Sequence, residues 1–297
     1  MKFQFMQHSI RIKIADFIIQ INSESSIEME EGYIPFVIEH KEEPVDVIIH
    51  CFSGIPSTDF QTEELVFEAR NDQQKFYSIF RSGTDLGFII YDQQNRDEIQ
   101  QVAYLDESFS SWKVYSEPLS EACLWPLKYP FGPIVMHYLT VKSNSVMIHA
   151  SCVFDGFKGR IFTGFSGNGK STISKLWADA ENLIINDDRI IIRKVDADYV
   201  AYNTPMYYFD KPKSAVLNAI YLISHSPQNK MKKLSGALAV SKVMAFCIQN
   251  NFEQKLIQNH LDFLSEMCNH IPVYELGFVP NESVVKFVLA NETGGTK

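Results

Sequence analysis

Apolar and polar side chains alternate near the start of the chain: Ile10, Ile12 and Ile14 are separated by Arg11 and Lys13. A period of two belongs to a strand with one buried face, because successive side chains of an extended backbone point to opposite sides. Further β-rich runs follow at 47–52, 64–69, 76–80, 87–91, 101–105 and 112–115, with turn-forming clusters such as Ser82-Gly83-Thr84-Asp85 between them. The pattern predicts a β-rich N-terminal domain, an antiparallel meander or curled sheet, over residues 1–118.

Beyond this point the period changes. Pro133 suits a first helical turn, where its missing N–H costs nothing, and Ile134, Val135, Tyr138 and Leu139 form an apolar stripe after it. Strands and helices then alternate. A strand at 146–155, a turn at Asp155-Gly156 and a returning strand at 160–163 precede a helix at 170–180, whose Ile173, Leu176, Trp177 and Ala180 share one face. Apolar runs at 183–185, 189–195 and 215–223 read as strands. Helices are expected over 235–249, with Ser235 as a cap, and over 252–268. A strand near 273–278 and a helix capped by Asn281 close the chain. This order predicts an α/β domain over 119–297, a mixed sheet with flanking helices.

Composition adds limits. The chain has 297 residues, of which 45% are hydrophobic and 21% charged, enough apolar material for a large core and too much for a disordered chain. The formal net charge is −9, which disfavours a protein built to grip nucleic-acid phosphates. Residues 1–120 hold 9 basic and 21 acidic side chains, whereas residues 121–297 hold 18 and 15, so the second part is the better host for an anionic ligand. The five cysteines are odd in number and contain no C-x-x-C pair, which argues against a disulfide framework or structural zinc and fits a reducing compartment. No apolar run has the length of a signal peptide or a membrane span, so a cytoplasmic protein is expected, with no membrane or nucleic-acid partner.

The strongest chemical signal is Gly164-Phe165-Ser166-Gly167-Asn168-Gly169-Lys170-Ser171-Thr172, a full match to G-x-x-x-x-G-K-[ST]. Binding a polyphosphate takes several converging donors. Backbone N–H groups supply them where glycines let the chain wrap closely, and the following helix presents its positive end. Lys170 would reach the terminal phosphates, and the Ser171 hydroxyl suits Mg²⁺, a hard cation. The strand before the loop and the amphipathic helix after it supply the required context. The pattern therefore points to a polyphosphate ligand with Mg²⁺.

A second signal is Asn186-Asp187-Asp188-Arg189, directly after the apolar run 183–185 and 17 residues beyond Lys170 at its first carboxylate. Acidic side chains at the end of a buried strand resemble the metal-holding aspartate of phosphate-loop proteins. Two adjacent carboxylates could divide the work, one holding metal and the other accepting the proton of an attacking hydroxyl. A third is His149, in the apolar stretch Met147-Ile148-His149-Ala150-Ser151, where a histidine is ordinarily a satisfied core residue.

Taken in order, a histidine in a strand, a hairpin, the phosphate loop, one helix and an apolar run ending in Asp-Asp, residues 146–194 resemble the kinase domain of HPr kinase/phosphorylase. They are also similar to the nucleotide-binding core of ATP-dependent phosphoenolpyruvate carboxykinase. The resemblance implies ATP and Mg²⁺ as cofactors and a catalytic set of His149, Lys170, Asp187, Asp188 and Arg189, with Ser171, Asp188 and His149 near the metal. In those families the Asp pair supplies metal ligand and base, and Arg189 would neutralise phosphate charge. The segment 271–276 looks like the closing strand of small HPr-kinase-like proteins. There are departures. Thr172 stands where HPr kinases carry Glu, and no Gly lies between Gly169 and Gly236, so the family's Glu-x-Arg-Gly signature is absent. A bifunctional kinase/phosphorylase and a carboxykinase are both disfavoured.

Two functions follow as expectations. One is an Mg·ATP-dependent phosphotransferase acting on a hydroxyl, either a serine of a protein or peptide or a small molecule. The other is a nucleotide-binding interaction module without transfer, consistent with Thr172 and the missing signature. The oligomeric state, the phosphoryl acceptor and the ligand of the β domain are left open.

Overall fold

A computed structural model describes residues 2–5, 9–39, 42–57, 63–71, 74–95, 98–118, 123–248 and 253–292. The chain divides into two compact units, Met1–Lys142 with Pro205–Lys211, and Ser143–Thr204 with Pro212–Lys297.

The first unit carries β1 (Lys2–Phe5), β2 (Ser9–Ile14), β3 (Phe17–Ser23), β4 (Ser26–Glu30), β5 (Val37–Ile38) and β6 (Val47–Ser53). These are followed by β7 (Glu64–Asn71), β8 (Gln74–Ser82), β9 (Asp85–Tyr91), β10 (Ile99–Leu105), β11 (Ser111–Ser116), β12 (Cys123–Leu124) and helix α1 (Phe131–Lys142). The large sheet runs β5-β2-β3-β6-β11-β10-β9-β8-β7, and β1-β4-β12 form a small second sheet. From β7 to β11 it is the expected antiparallel meander, but β6 lies parallel to both its neighbours, β3 and β11. Ile10, Ile12 and Ile14 are buried while Arg11 and Lys13 are half-exposed, as their alternation requires.

The structure divides the chain after Lys142 rather than near residue 118, and the reason is α1. This helix is buried at every position from Ile134 to Val141, and its Tyr138 ring packs against Phe88 and Trp112 of the large sheet, with centroids 5.4 and 5.7 Å apart. A helix apolar on all sides has to be enclosed by the body it belongs to. The segment 205–211 joins the same unit because its backbone crosses Gly32 so closely that a Cβ there would lie 1.6 Å from the Met206 carbonyl oxygen.

The second unit contains β13 (Ser145–Phe154), β14 (Gly159–Thr163), α2 (Lys170–Asp179), β15 (Leu183–Asn186), β16 (Arg189–Val195) and β17 (Asp198–Asn203). It continues through β18 (Ser214–His225), β19 (Lys230–Leu234), α3 (Gly236–Met244), α4 (Gln254–His270), β20 (Val273–Phe278) and α5 (Ser283–Glu292). Its sheet runs β14-β13-β16-β17-β18-β20-β19, with β15 paired to β13, and a further parallel pairing of β14 with β18 closes the first five strands into a ring. The twelve residues of β18 make this closure, since its first half pairs with β17 and the rest with β14 and β20. One apolar core gathers residues of α3 and α4, including Val243, Phe263 and Leu264. The other gathers Trp177 of α2 and Val288 of α5 with Phe162 of β14.

Several local expectations change. The helix from 236 stops at Met244 instead of 249, because Phe246 and Ile248 exchange backbone hydrogen bonds with His149 and Met147 of β13. The sheet's open groups offer this segment better pairing than another helical turn. Residues 249–252 lie outside the described residues. Ser235 sits at the N-cap of α3, but its hydroxyl makes no cap bond. Asn281 does cap α5, its Oδ1 accepting the Ser283 N–H at 3.0 Å. Strands β17 and β19 were not anticipated; the Lys-Met-Lys-Lys-Leu sequence of β19 is that of a lysine-guarded sheet edge.

Candidate functional site

The phosphate-loop motif occupies the turn its sequence demands. Strand β14 ends at Thr163, residues 164–169 form the loop, and α2 opens at Lys170. Gly169 takes φ 90° and ψ 29°, a left-handed conformation that turns the chain into the helix. A Cβ there would also meet Phe278 Cζ at 2.9 Å, so glycine is required twice over. The first helical bond runs from Ile173 N–H to the Gly169 carbonyl, and no side chain caps the N-terminus. The N–H groups of Lys170, Ser171 and Thr172 have no intrahelical acceptor and face the loop end, where an anion would find them.

The loop is pinned from one side. Asn168 Nδ2 donates to the Ile223 carbonyl at 3.0 Å, and His225 Nε2 lies 3.1 Å from the Gly167 carbonyl oxygen. Lys170 Nζ donates to the Gly164 carbonyl at 2.8 Å and, more weakly, to that of Phe165 at 3.4 Å. Burial holds its pKa below the ordinary lysine value, opposed by the charge of Asp188. Phe165, Ser166, Ser171 and Thr172 are exposed.

The acidic pair sits on a turn that its own preceding residue builds. Asn186 is buried, and its Oδ1 accepts the N–H groups of Asp187 at 2.7 Å and Asp188 at 3.0 Å, while its Nδ2 donates to the Thr204 carbonyl at 3.2 Å. Thr204 Oγ1 in turn donates to the Arg189 carbonyl at 3.1 Å. Asn186 and Thr204 are thus positioning residues that sequence reasoning missed. The local signal was an asparagine directly before two aspartates.

His149 is the one exposed residue within the otherwise buried run from Ser145 to Val153, its side chain 55% accessible, so it is not a core histidine. Pairing of β13 with β16 sets it opposite Arg189, and Thr163 Oγ1 donates to its carbonyl at 2.8 Å. Its Nε2 lies 3.5 Å from Asp188 Oδ1, and Arg189 Nη2 lies 3.1 Å from Asp188 Oδ2. Its pKa is lowered, first by burial and then by the charge of Lys170, with Asp188 raising it and Arg189 lowering it. Lys170, His149, Asp188 and Arg189 therefore form one electrostatic cluster. Asp187 is half-buried, and its carboxylate makes no hydrogen bond or ion pair among the described residues.

Among the described residues no three His, Cys, Asp or Glu side chains converge as a metal cage. The oxygen donors present, the Asp188 carboxylate and the Ser171 hydroxyl, match the few protein ligands that Mg²⁺ takes beside phosphate oxygens. The imidazole of His149 suits that hard ion less well. No helix among the described residues is long and apolar enough to cross a membrane.

No family model matches this chain, and no curated protein matches it. Among solved structures it is similar to the HPr(Ser) kinase/phosphatase from Coxiella burnetii, with 9% identity, a TM-score of 0.31, and coverage of 50% of this chain and 95% of that one. The likeness is distant, and the case for the site stands on its own geometry.

Proposed function

We propose that the second unit is an Mg·ATP-dependent phosphotransferase of HPr-kinase-like type, moving the γ-phosphoryl group to a hydroxyl of a protein, a peptide or a small molecule. One observation carries the reading. The carboxylate Asp188, 3.5 Å from His149 and 3.1 Å from Arg189, acts on the charge of the loop cation Lys170, which follows a different strand. A phosphate on the open N–H groups of α2 would meet that cluster at its terminal end.

In this reading the polyphosphate lies on Gly164–Thr172. Lys170 leaves the carbonyl of Gly164 for the β- and γ-phosphates, a stronger acceptor because it is charged. Ser171 and Asp188 would hold Mg²⁺, with His149 beside it. When bound, the ion neutralises charge on the phosphate oxygens. Asp188 is already committed to Arg189, whereas Asp187 keeps an unengaged carboxylate on the same turn, which favours Asp187 as the proton acceptor. The acceptor oxygen forms a bond to the γ-phosphorus, the bond to the bridging oxygen breaks, ADP leaves, and the hydroxyl proton passes to Asp187. Lys170 and Arg189 stabilise the charge that develops.

The test uses γ-labelled Mg·ATP with serine peptides and small alcohols, comparing the wild type with Asp187→Asn. Label transfer that disappears in the variant, while ATP still binds, supports the reading. ATP binding without transfer to any acceptor would replace it with a nucleotide-binding module. Absence of ATP binding would remove both.

A further inference from the structure

A cavity of about 790 Å³ adjoins the loop, and none of His149, Asp187, Asp188 or Arg189 lines it. Strand order fixes its side. From β14, the strand that leads into the loop, β13 and β16 extend one way and carry His149 and Arg189. Strands β18, β20 and β19 extend the other way and carry one cavity wall, and the end of α3 with Ala245 and Phe246 carries another, Phe246 accepting the His149 N–H at its carbonyl. The cavity reaches the loop itself at Gly164, Phe165 and Asn168.

Its lining has a divided chemistry. Leu222, Ile223 and Phe246 supply apolar surface, and Phe246 meets Phe165 edge-on with centroids 5.1 Å apart. The rim is cationic: Lys230, Lys232 and Lys242 stand against the single carboxylate of Glu275, which is ion-paired with Lys242. Period-two alternation puts Lys230 and Lys232 on the same face of β19 as Leu234, which packs into the α3 and α4 core. Both lysines therefore rise on the cavity side. A volume in the range of small-molecule sites, with apolar and aromatic lining and a cationic rim beside the loop, fits a ligand that is aromatic at one end and polyanionic at the other.

We infer that this cavity seats the nucleoside end of the nucleotide. The inference rests on the proposed placement of the phosphates along the loop. With the γ-phosphoryl group at Lys170 and Asp188, the other end of the molecule runs across β14 toward β18 and β20. The base lies on the apolar wall, and Lys230 and Lys232 add to the field that holds the phosphate tail.

Ala245 and Ser224 are exposed residues on the cavity wall, so a large side chain at either fills the cavity without entering a core. The experiment measures binding of ATP and of inorganic tripolyphosphate to the wild type, Ala245→Trp, Ser224→Trp and Lys170→Ala. Tripolyphosphate has the tail without the nucleoside. The expected result is that each tryptophan variant weakens ATP by about tenfold or more, a loss of about 1.4 kcal/mol or more, and changes tripolyphosphate by less than about twofold. Lys170→Ala should weaken both ligands. ATP affinity unchanged in both tryptophan variants would overturn the inference while leaving the loop intact. So would retained ATP affinity with lost phosphorylation of an acceptor, which would make the cavity the acceptor's seat. Tripolyphosphate binding that ignores Lys170→Ala would instead overturn the loop assignment itself.

Discussion

The ammonium group of Lys170 donates to the carbonyl oxygen of Gly164 at 2.8 Å, so the cation of the loop is held by the loop's first residue. A neutral carbonyl is a weaker partner than a phosphate, so a phosphate bound as proposed would draw the ammonium group away from it. Loss of this cation should weaken Mg·ATP binding by about 2–4 kcal/mol, the scale of a charged hydrogen-bond loss. Calorimetry and thermal shift on Lys170→Ala measure it. Undiminished stabilisation by Mg·ATP in that variant would count against the loop.

His149 should titrate below the ordinary imidazole value, because burial and Lys170 together outweigh Asp188. Removing the lysine charge in Lys170→Ala should raise it, and removing the carboxylate charge in Asp188→Asn should lower it further. NMR titration of the imidazole reads all three. The unfolded chain binds this proton more readily than the folded one. Acidification through the ordinary imidazole range therefore destabilises the fold, and His149→Gln should lose that part of the pH dependence. A titration indifferent to both charge changes would show that the cluster does not exist in solution.

Asn186→Ala should cost about 1–3 kcal/mol of stability in urea unfolding, since the buried amide satisfies two N–H groups and one carbonyl. It should also depress phosphoryl transfer, because Asp187 and Asp188 lose the turn that sets them. Transfer at the wild-type rate would show that the turn holds its shape without this amide.

Arg160 is buried to 1% exposure beneath α5. Its Nε and Nη2 donate to the two carboxylate oxygens of Glu292 at 2.7 Å each, Nη1 donates to Asp155 at 2.8 Å, and the guanidinium lies 4.9 Å from the Trp177 ring centre. Glu292 also accepts from the Tyr221 hydroxyl. Arg160→Ala strands a buried carboxylate and should cost about 3–5 kcal/mol. The double change Arg160→Met with Glu292→Leu should cost less than the two single changes summed, because the buried Glu292 carboxylate goes with its partner and only the more exposed Asp155 loses the guanidinium. Denaturant unfolding of the four proteins gives the coupling, and additive costs would refute it.

Much of the architecture was legible locally. The Ile10, Ile12 and Ile14 alternation, the helix at 170–179 and the capping Asn281 all depend on neighbours a few residues away, and periodicity reports such neighbours directly. The loop was legible for the same reason, since its glycines, its lysine and the helix start lie within one turn of chain. Local pattern could not place α1, whose stripe of apolar residues looked one-sided but is enclosed all round. Nor could it foresee that β13 would draw residues 246–248 out of a helix.

The order of residues by itself determined that a glycine-rich turn of the phosphate-loop pattern exists between a strand and a helix, and that an acidic pair follows one helix later. Only the folded molecule decided that the two meet, that His149 is exposed beside Asp188, and that a lysine-rimmed cavity opens beside the loop. Those facts are set by which strands pair and in what register: His149 opposite Arg189, and β14 against β18. Pairing of that kind joins segments dozens of residues apart. It depends on the mutual fit of whole faces, to which the period of any one segment is blind.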